Sequence, residues 1–152
     1  MAKVMNNTID GTTTVFLGGT CNGSTWREEL LPMLCNQVSA FNPVVDDWND
    51  EARANEDWHK AHDDFCLYVL TPEMAGFYSI FEVADASNKR PTRTICCFLK
   101  ERAGLQFDSR VWRGVEKIKR DLVHNGAMVC DDLKGVAELL NNVVRVRAKN
   151  QP

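Results

Sequence analysis

The sequence predicts an α/β fold, a three-layer αβα arrangement around a parallel five-stranded sheet. Short apolar runs rich in β-branched and aromatic residues alternate along the chain with longer segments of helical periodicity. Two of these runs, Phe65-Cys66-Leu67-Tyr68-Val69-Leu70 and Thr94-Ile95-Cys96-Cys97-Phe98-Leu99, are apolar nearly throughout, as central strands covered on both faces must be. A chain of 152 residues is one domain, long enough to bury roughly 70% of the surface its unfolded form exposes.

The elements follow in order. Thr13-Thr14-Val15-Phe16-Leu17 is a short strand stopped by Gly18-Gly19, and Thr20-Cys21-Asn22-Gly23-Ser24-Thr25 has turn chemistry. Ser24 or Thr25 can cap a helix from Trp26 to about Leu34, and Thr25 with Glu28 fits the capping-box spacing. Phe41-Asn42-Pro43-Val44-Val45 reads as a second strand that Pro43 moves toward an edge, and the acidic, aromatic segment 51–64 as a short helix. After the strand ending at Leu70, a helix is predicted from about Gly76 to Lys89. On it Phe77, Phe81 and Ala84 share one face, and Tyr78, Glu82 and Asp85 another. Val111, Val115, Ile118 and Leu122 mark an amphipathic helix ending near Asn125-Gly126. Ala127-Met128-Val129-Cys130 is the fifth strand, and 133–144 the last helix. The domain is expected to span 13–146, with 1–12 and 147–152 as flexible tails. About five strands in one domain imply the flavodoxin-like (Rossmann-like) order with right-handed crossovers.

Composition excludes several classes. A net charge of −3 argues against a polymeric nucleic-acid partner. No apolar run approaches the roughly 20 residues of a membrane helix, and the polar start predicts a cytoplasmic protein. The six cysteines contain no Cys-x-x-Cys pair, and Cys66, Cys96 and Cys97 are expected as reduced core thiols. His59 and His62 can face one another on a helix, but no third ligand stands at metal-site spacing, so neither metal nor cofactor is expected.

Chemistry concentrates in the loops at the carboxyl ends of the strands, where ligands bind in open α/β sheets. Gly18, Gly19, Thr20 and Asn22 offer backbone N–H groups but match neither the Walker A loop nor the dinucleotide fingerprint. Asp46, Asp47 and Trp48 put carboxylates beside an aromatic ring suited to stacking on a flat base. Tyr78 lies one turn before Glu82, where its phenol can donate to the carboxylate.

These residues carry a resemblance. Val15-Phe16-Leu17-Gly18-Gly19-Thr20, Phe41 to Trp48, Asp64 heading a strand that ends Leu70-Thr71-Pro72, and Gly76 to Glu82 resemble the nucleoside 2-deoxyribosyltransferase family and its nucleotide N-hydrolase relatives. The resemblance implies cleavage of an N-glycosidic bond in a small nucleoside or nucleotide. It implies Glu82 as nucleophile on the anomeric carbon, Asp64 as the acid or orienting carboxylate, and a homodimer or higher homo-oligomer that completes its sites across an interface. It places the 18–22 loop at the sugar or phosphate and Asp46 to Trp48 at the base. Gly76 stands where transferases of this family carry an acidic residue, and Ser79 can instead hydrogen-bond a 5′-phosphate. Hydrolysis and transfer, NAD glycohydrolysis, and non-catalytic nucleotide binding all stay open at this level.

Overall fold

The computed structural model describes residues 12–21 and 23–152. Its strands are β1 (Thr13–Gly19), β2 (Val38–Phe41), β3 (Phe65–Leu70), β4 (Thr94–Phe98), β5 (Glu101–Arg102), β6 (Leu105–Gln106) and β7 (Met128–Cys130). Its helices are α1 (Trp26–Leu30), α2 (Asp50–His62), α3 (Tyr78–Lys89), α4 (Ser109–Asn125) and α5 (Leu133–Lys149). Five strands form one sheet in the order β2-β1-β3-β4-β7, every pair parallel. This is the flavodoxin-like order, with β5 and β6 as a separate antiparallel hairpin after β4.

The strand pleat sorts the core into two layers. Val15, Leu17, Leu67, Val69, Ile95 and Cys97 face one side, against α1 and α5. Phe16, Cys66, Tyr68, Leu70, Cys96 and Phe98 face the other, against α3 and α4. On this second side the His59 ring of α2 stacks on Phe41 with centroids 3.6 Å apart. Both faces are therefore covered, which is why β3 and β4 are apolar at nearly every position. The six cysteines are free thiols; Cys66, Cys96 and Cys97 are buried and burial pushes each up from its ordinary value.

Three local readings need correction. The second strand is Val38–Phe41, earlier than the segment 41–45, and pairs with β1 from Thr13↔Val38 to Phe16↔Phe41. Pro43 has no N–H for a ladder, and Asn42 Oδ1 accepts from Val44 N at 3.0 Å, turning the chain out of the sheet. Thr25 makes no side-chain cap to α1; its hydroxyl accepts from Arg102 Nη2 at 3.2 Å instead. On α3 the shared face of Phe77 and Phe81, whose direction the spacing left open, is turned outward, while Val83, Ala86 and Ser87 are buried. Finally, α5 continues past Val144 to Lys149, because Arg147 in its last turn reaches Thr13 Oγ1 at 3.0 Å and Asp64 at 3.1 and 3.3 Å.

At the carboxyl edge the Gly18-Gly19 step lets β1 pass unusually close to β3. Gly19 has φ +108°, and a Cβ there would lie 2.1 Å from the Val69 carbonyl oxygen. Only glycine meets both conditions.

Candidate active site

The glycine loop is held from beneath. Thr20 N donates to Val69 O at 2.8 Å, and Thr20 Oγ1 accepts from Thr71 N at 3.0 Å, stitching β1 to the end of β3. The Thr20 carbonyl accepts from Trp26 Nε1 at 2.8 Å and Arg27 Nη1 at 3.0 Å. Arg27 is 2% exposed and sends Nε and Nη2 to the Leu17 carbonyl at 3.2 and 2.9 Å. Thr20 and Arg27 thus shape the loop with groups already engaged. Ser24 Oγ donates to Glu73 Oε1 at 2.6 Å, and Arg102 Nε lies 3.4 Å from the same oxygen and Nη1 2.8 Å from Glu29. These contacts tie together the glycine loop, the turn after β3 and the β5–β6 hairpin.

Between that loop and segment 42–48 run two adjoining recesses. One, of about 190 Å³, is lined by Cys21, Pro43, Val44, Val45, Trp48 and Glu56. The other, of about 150 Å³, is lined by Cys21, Gly23, Ser24, Arg27, Glu28, Asn42 and Val44. Trp48 is half exposed, so its ring is free to cover a flat ligand. Asp46 and Asp47 are exposed and border neither recess. Gly18 and Gly19 lie under the loop, and Asn22 falls outside the described residues.

The charge centre stands beside this cleft, in the groove between α2 and α3. Lys60 Nζ hydrogen-bonds Glu82 Oε1 and lies 2.5 Å from Glu56 Oε1. The three side chains are 16, 13 and 19% exposed, in the order Lys60, Glu82, Glu56. Burial pushes the Glu82 carboxyl above its ordinary value; Lys60 pulls it back, and Glu56 adds to the rise. Burial also opposes the Lys60 charge, but hydrogen bonds to Glu56 and Glu82 outweigh it and the ammonium is held above its usual value. Tyr68, 1% exposed on the sheet below, is pushed up by burial, with the Glu82 charge contributing.

Other expected site residues sit differently. Tyr78 is 68% exposed, stacks on Phe81 with centroids 6.0 Å apart, and makes no hydrogen bond to Glu82 among the described residues. Its helix position was read correctly, but the carboxylate turns inward to Lys60 while the ring turns out. Asp64 stands at the amino end of β3, where its carboxylate accepts from Thr14 N at 2.9 Å and pairs with Arg147. Gly76 opens to solvent, with nothing within 4 Å of a Cβ built there, and Ser79 is half-buried in the first turn of α3. His59 binds Asp63 at 3.0 Å and His62 stacks on Trp58, so the two imidazoles address different partners.

The profile described as nucleoside 2-deoxyribosyltransferase like matches residues 12–100, more than half of the chain. The chain belongs to the nucleoside 2-deoxyribosyltransferase-like family. No curated protein and no solved structure matches it. Membership carries the family's general activity, glycosyl transfer on a small nucleoside. The matched span of this nucleoside 2-deoxyribosyltransferase-like chain runs from β1 through β4 and includes Glu56, Lys60, Trp48 and Glu82, while α4, β7 and α5 lie beyond it. No helix of the described residues is long and apolar enough to cross a membrane. Glu56 and Lys60 were missed in the sequence because a Glu and a Lys four apart are the ordinary pattern of a solvated helix face. Nothing local says that this face turns toward α3.

Proposed function

We propose that the protein cleaves the N-glycosidic bond of a nucleoside through Glu82, with Glu56 as the second carboxylate. The observation that carries this reading is the Glu56–Lys60–Glu82 cluster: one end lines the cleft beneath Trp48, and the other holds a mostly buried glutamate. Breaking this bond builds positive charge on the sugar, so a carboxylate at the anomeric carbon stabilises the transition state or traps it. A Glu82 oxygen would bond to that carbon as the C–N bond breaks, its electron pair leaving with the base. The Glu56 carboxyl group would hand the departing base the proton it takes up. Water or a second base would then attack the same carbon, return a proton to Glu56 and release Glu82.

Charge favours a nucleoside over a nucleotide. Among the described residues, each cation nearest the cleft is already engaged. Arg27 is bound to the Leu17 and Thr20 carbonyls, Lys60 to Glu56 and Glu82, and Arg102 to Glu29 and Glu73. The recess walls add Glu28 and Glu56. A 5′-phosphate would meet carboxylates with no uncommitted cation, a costly arrangement in a half-buried site.

The test is incubation with deoxynucleosides, ribonucleosides, their 5′-monophosphates and NAD, with and without a second base, followed by chromatography for free or exchanged base. Base release or exchange from a nucleoside, with the monophosphate much slower, is the expected result. Release only from monophosphates would reject the charge argument, and nicotinamide release alone would make the protein an NAD glycohydrolase. Retention of ligand with no base released would make it a binding protein.

A further inference from the structure

Lys60 has no assigned part in the chemistry, yet the geometry of the groove runs through it. Its ammonium is the cation that contacts Glu82 among the described residues, and it contacts Glu56 as well. The residue is held at its ammonium and at its backbone carbonyl. Nζ lies 5.4 Å from the centroid of the Phe16 ring and 6.0 Å from that of Tyr78. At the other end the Lys60 carbonyl accepts from Arg90 Nη1 and from Cys66 Sγ at 3.5 Å. A lysine carries more rotamer freedom than almost any other side chain, so an ammonium held from α2, α3 and β1 acts as a built part rather than a surface charge.

We propose that Lys60 is a positioning residue for the reaction: it orients Glu82 by one carboxylate oxygen, leaves the other for the anomeric carbon, and supplies the charge against which two neighbouring carboxylates can divide their roles. This rests on the glycosyl-transfer reading above. Without the ammonium, Glu56 and Glu82 would face one another as like charges in a groove that excludes most solvent. Such a pair holds a proton between its members and titrates as a unit. The groups acting on Glu82 are Lys60 and Glu56 from α2, with Tyr68 buried on the sheet below and the Tyr78 ring reaching only the Lys60 ammonium, while Arg90 and Cys66 reach only the Lys60 backbone. Of these, Lys60 is the one cation aimed at the carboxylates.

The test uses Lys60→Met, which keeps the length and apolar stem, Lys60→Arg, which keeps the charge, and the wild-type protein. Two readouts are taken. The pH profile of kcat/KM for base release should move its acidic limb upward by about one unit or more in Lys60→Met. Lys60→Arg should bring the limb back to within about half that shift, with KM little changed in either. Independently of substrate, NMR titration of protein labelled with carboxyl-¹³C glutamate, with Glu82→Gln to assign the signal, should show the Glu82 midpoint rising in Lys60→Met. Thermal melts check that each variant is folded; should Lys60→Met fail to fold, Lys60→Gln takes its place. An active wild type whose acidic limb and Glu82 midpoint stay put in the charge-removing variant overturns the Lys60 proposal alone. A wild type that releases no base from any nucleoside or nucleotide overturns the glycosyl-transfer reading, and with it the residue's part in that reaction, whatever the titration gives.

Discussion

Replacing Asp64 and Glu56 separately by their amides should divide stability from chemistry. In Asp64→Asn the amide oxygen can still accept from Thr14 N, now 2.9 Å from the carboxylate, but the charge facing Arg147 is gone. Arg147 and Asp64 are 43 and 33% exposed, so their pairing is screened and contributes about 0.5–1 kcal/mol. Weakening the charge-assisted bond to Thr14 adds a comparable amount, for a total loss of about 1–2 kcal/mol. In a domain of this size that lowers the melting temperature by about 2–8 °C. Turnover should stay within about threefold of wild type, since Asp64 lies at the opposite end of β3 from the cleft. Glu56→Gln should do the reverse: a melting temperature near wild type and turnover lower by about 10²–10⁴-fold, the usual contribution of a general acid. Calorimetry and base-release kinetics on the same samples measure both. A hundredfold loss of turnover in Asp64→Asn at unchanged melting temperature would return Asp64 to the chemistry and refute the assignment to Glu56.

Glu82→Gln should fold normally and lose turnover by orders of magnitude, and a 2′-fluorinated nucleoside should leave a sugar adduct on the Glu82 peptide in a mass spectrum; an adduct on another carboxylate would reject the nucleophile. Trp48→Ala should raise KM more than it lowers kcat if the ring stacks equally in ground and transition states, and unchanged kinetics would remove it from the base site. Gly19→Ala must place a Cβ against the Val69 carbonyl at a left-handed φ, so a loss of about 2–5 kcal/mol in denaturant unfolding is expected, and a loss below about 1 kcal/mol would contradict the close approach. On acidification, burial raises the Asp64 carboxyl, but the hydrogen bonds from Arg147 and Thr14 outweigh it and the net shift is downward from 3.8. Its stabilisation is therefore complete above pH 3.8 and lost as pH falls through the lower folded value, so Asp64→Asn should unfold with a shallower acid limb than wild type. An acid limb as steep as wild type would show that Asp64 does not carry this linkage.

The sequence by itself determined the layer architecture. Phe65–Leu70 and Thr94–Phe98 are apolar on both pleat faces, and only a sheet covered on two sides accommodates that. The helix of Val115 and Leu122 was legible for the same reason: periodicity is a local property, and Gly126 at φ +98° ends it as a glycine there should. The position of Glu82 on a helix just beyond β3 was likewise readable from spacing. What spacing could not decide was which way α3 is rolled and what faces it. The exposed Phe77 and Phe81 and the inward Glu82 follow from packing Val83 and Ala86 on the sheet, a choice among helix faces of similar composition. The cluster of Glu56, Lys60 and Glu82 joins side chains of two helices that stand 22 or more positions apart in sequence, and Arg147 meets Asp64 across 83. Both are products of the crossover path. A charged side chain looks the same in sequence whether solvent or a second carboxylate lies beyond it, and only the tertiary fold, by removing the solvent, turned an ordinary helix Glu and Lys into a candidate site.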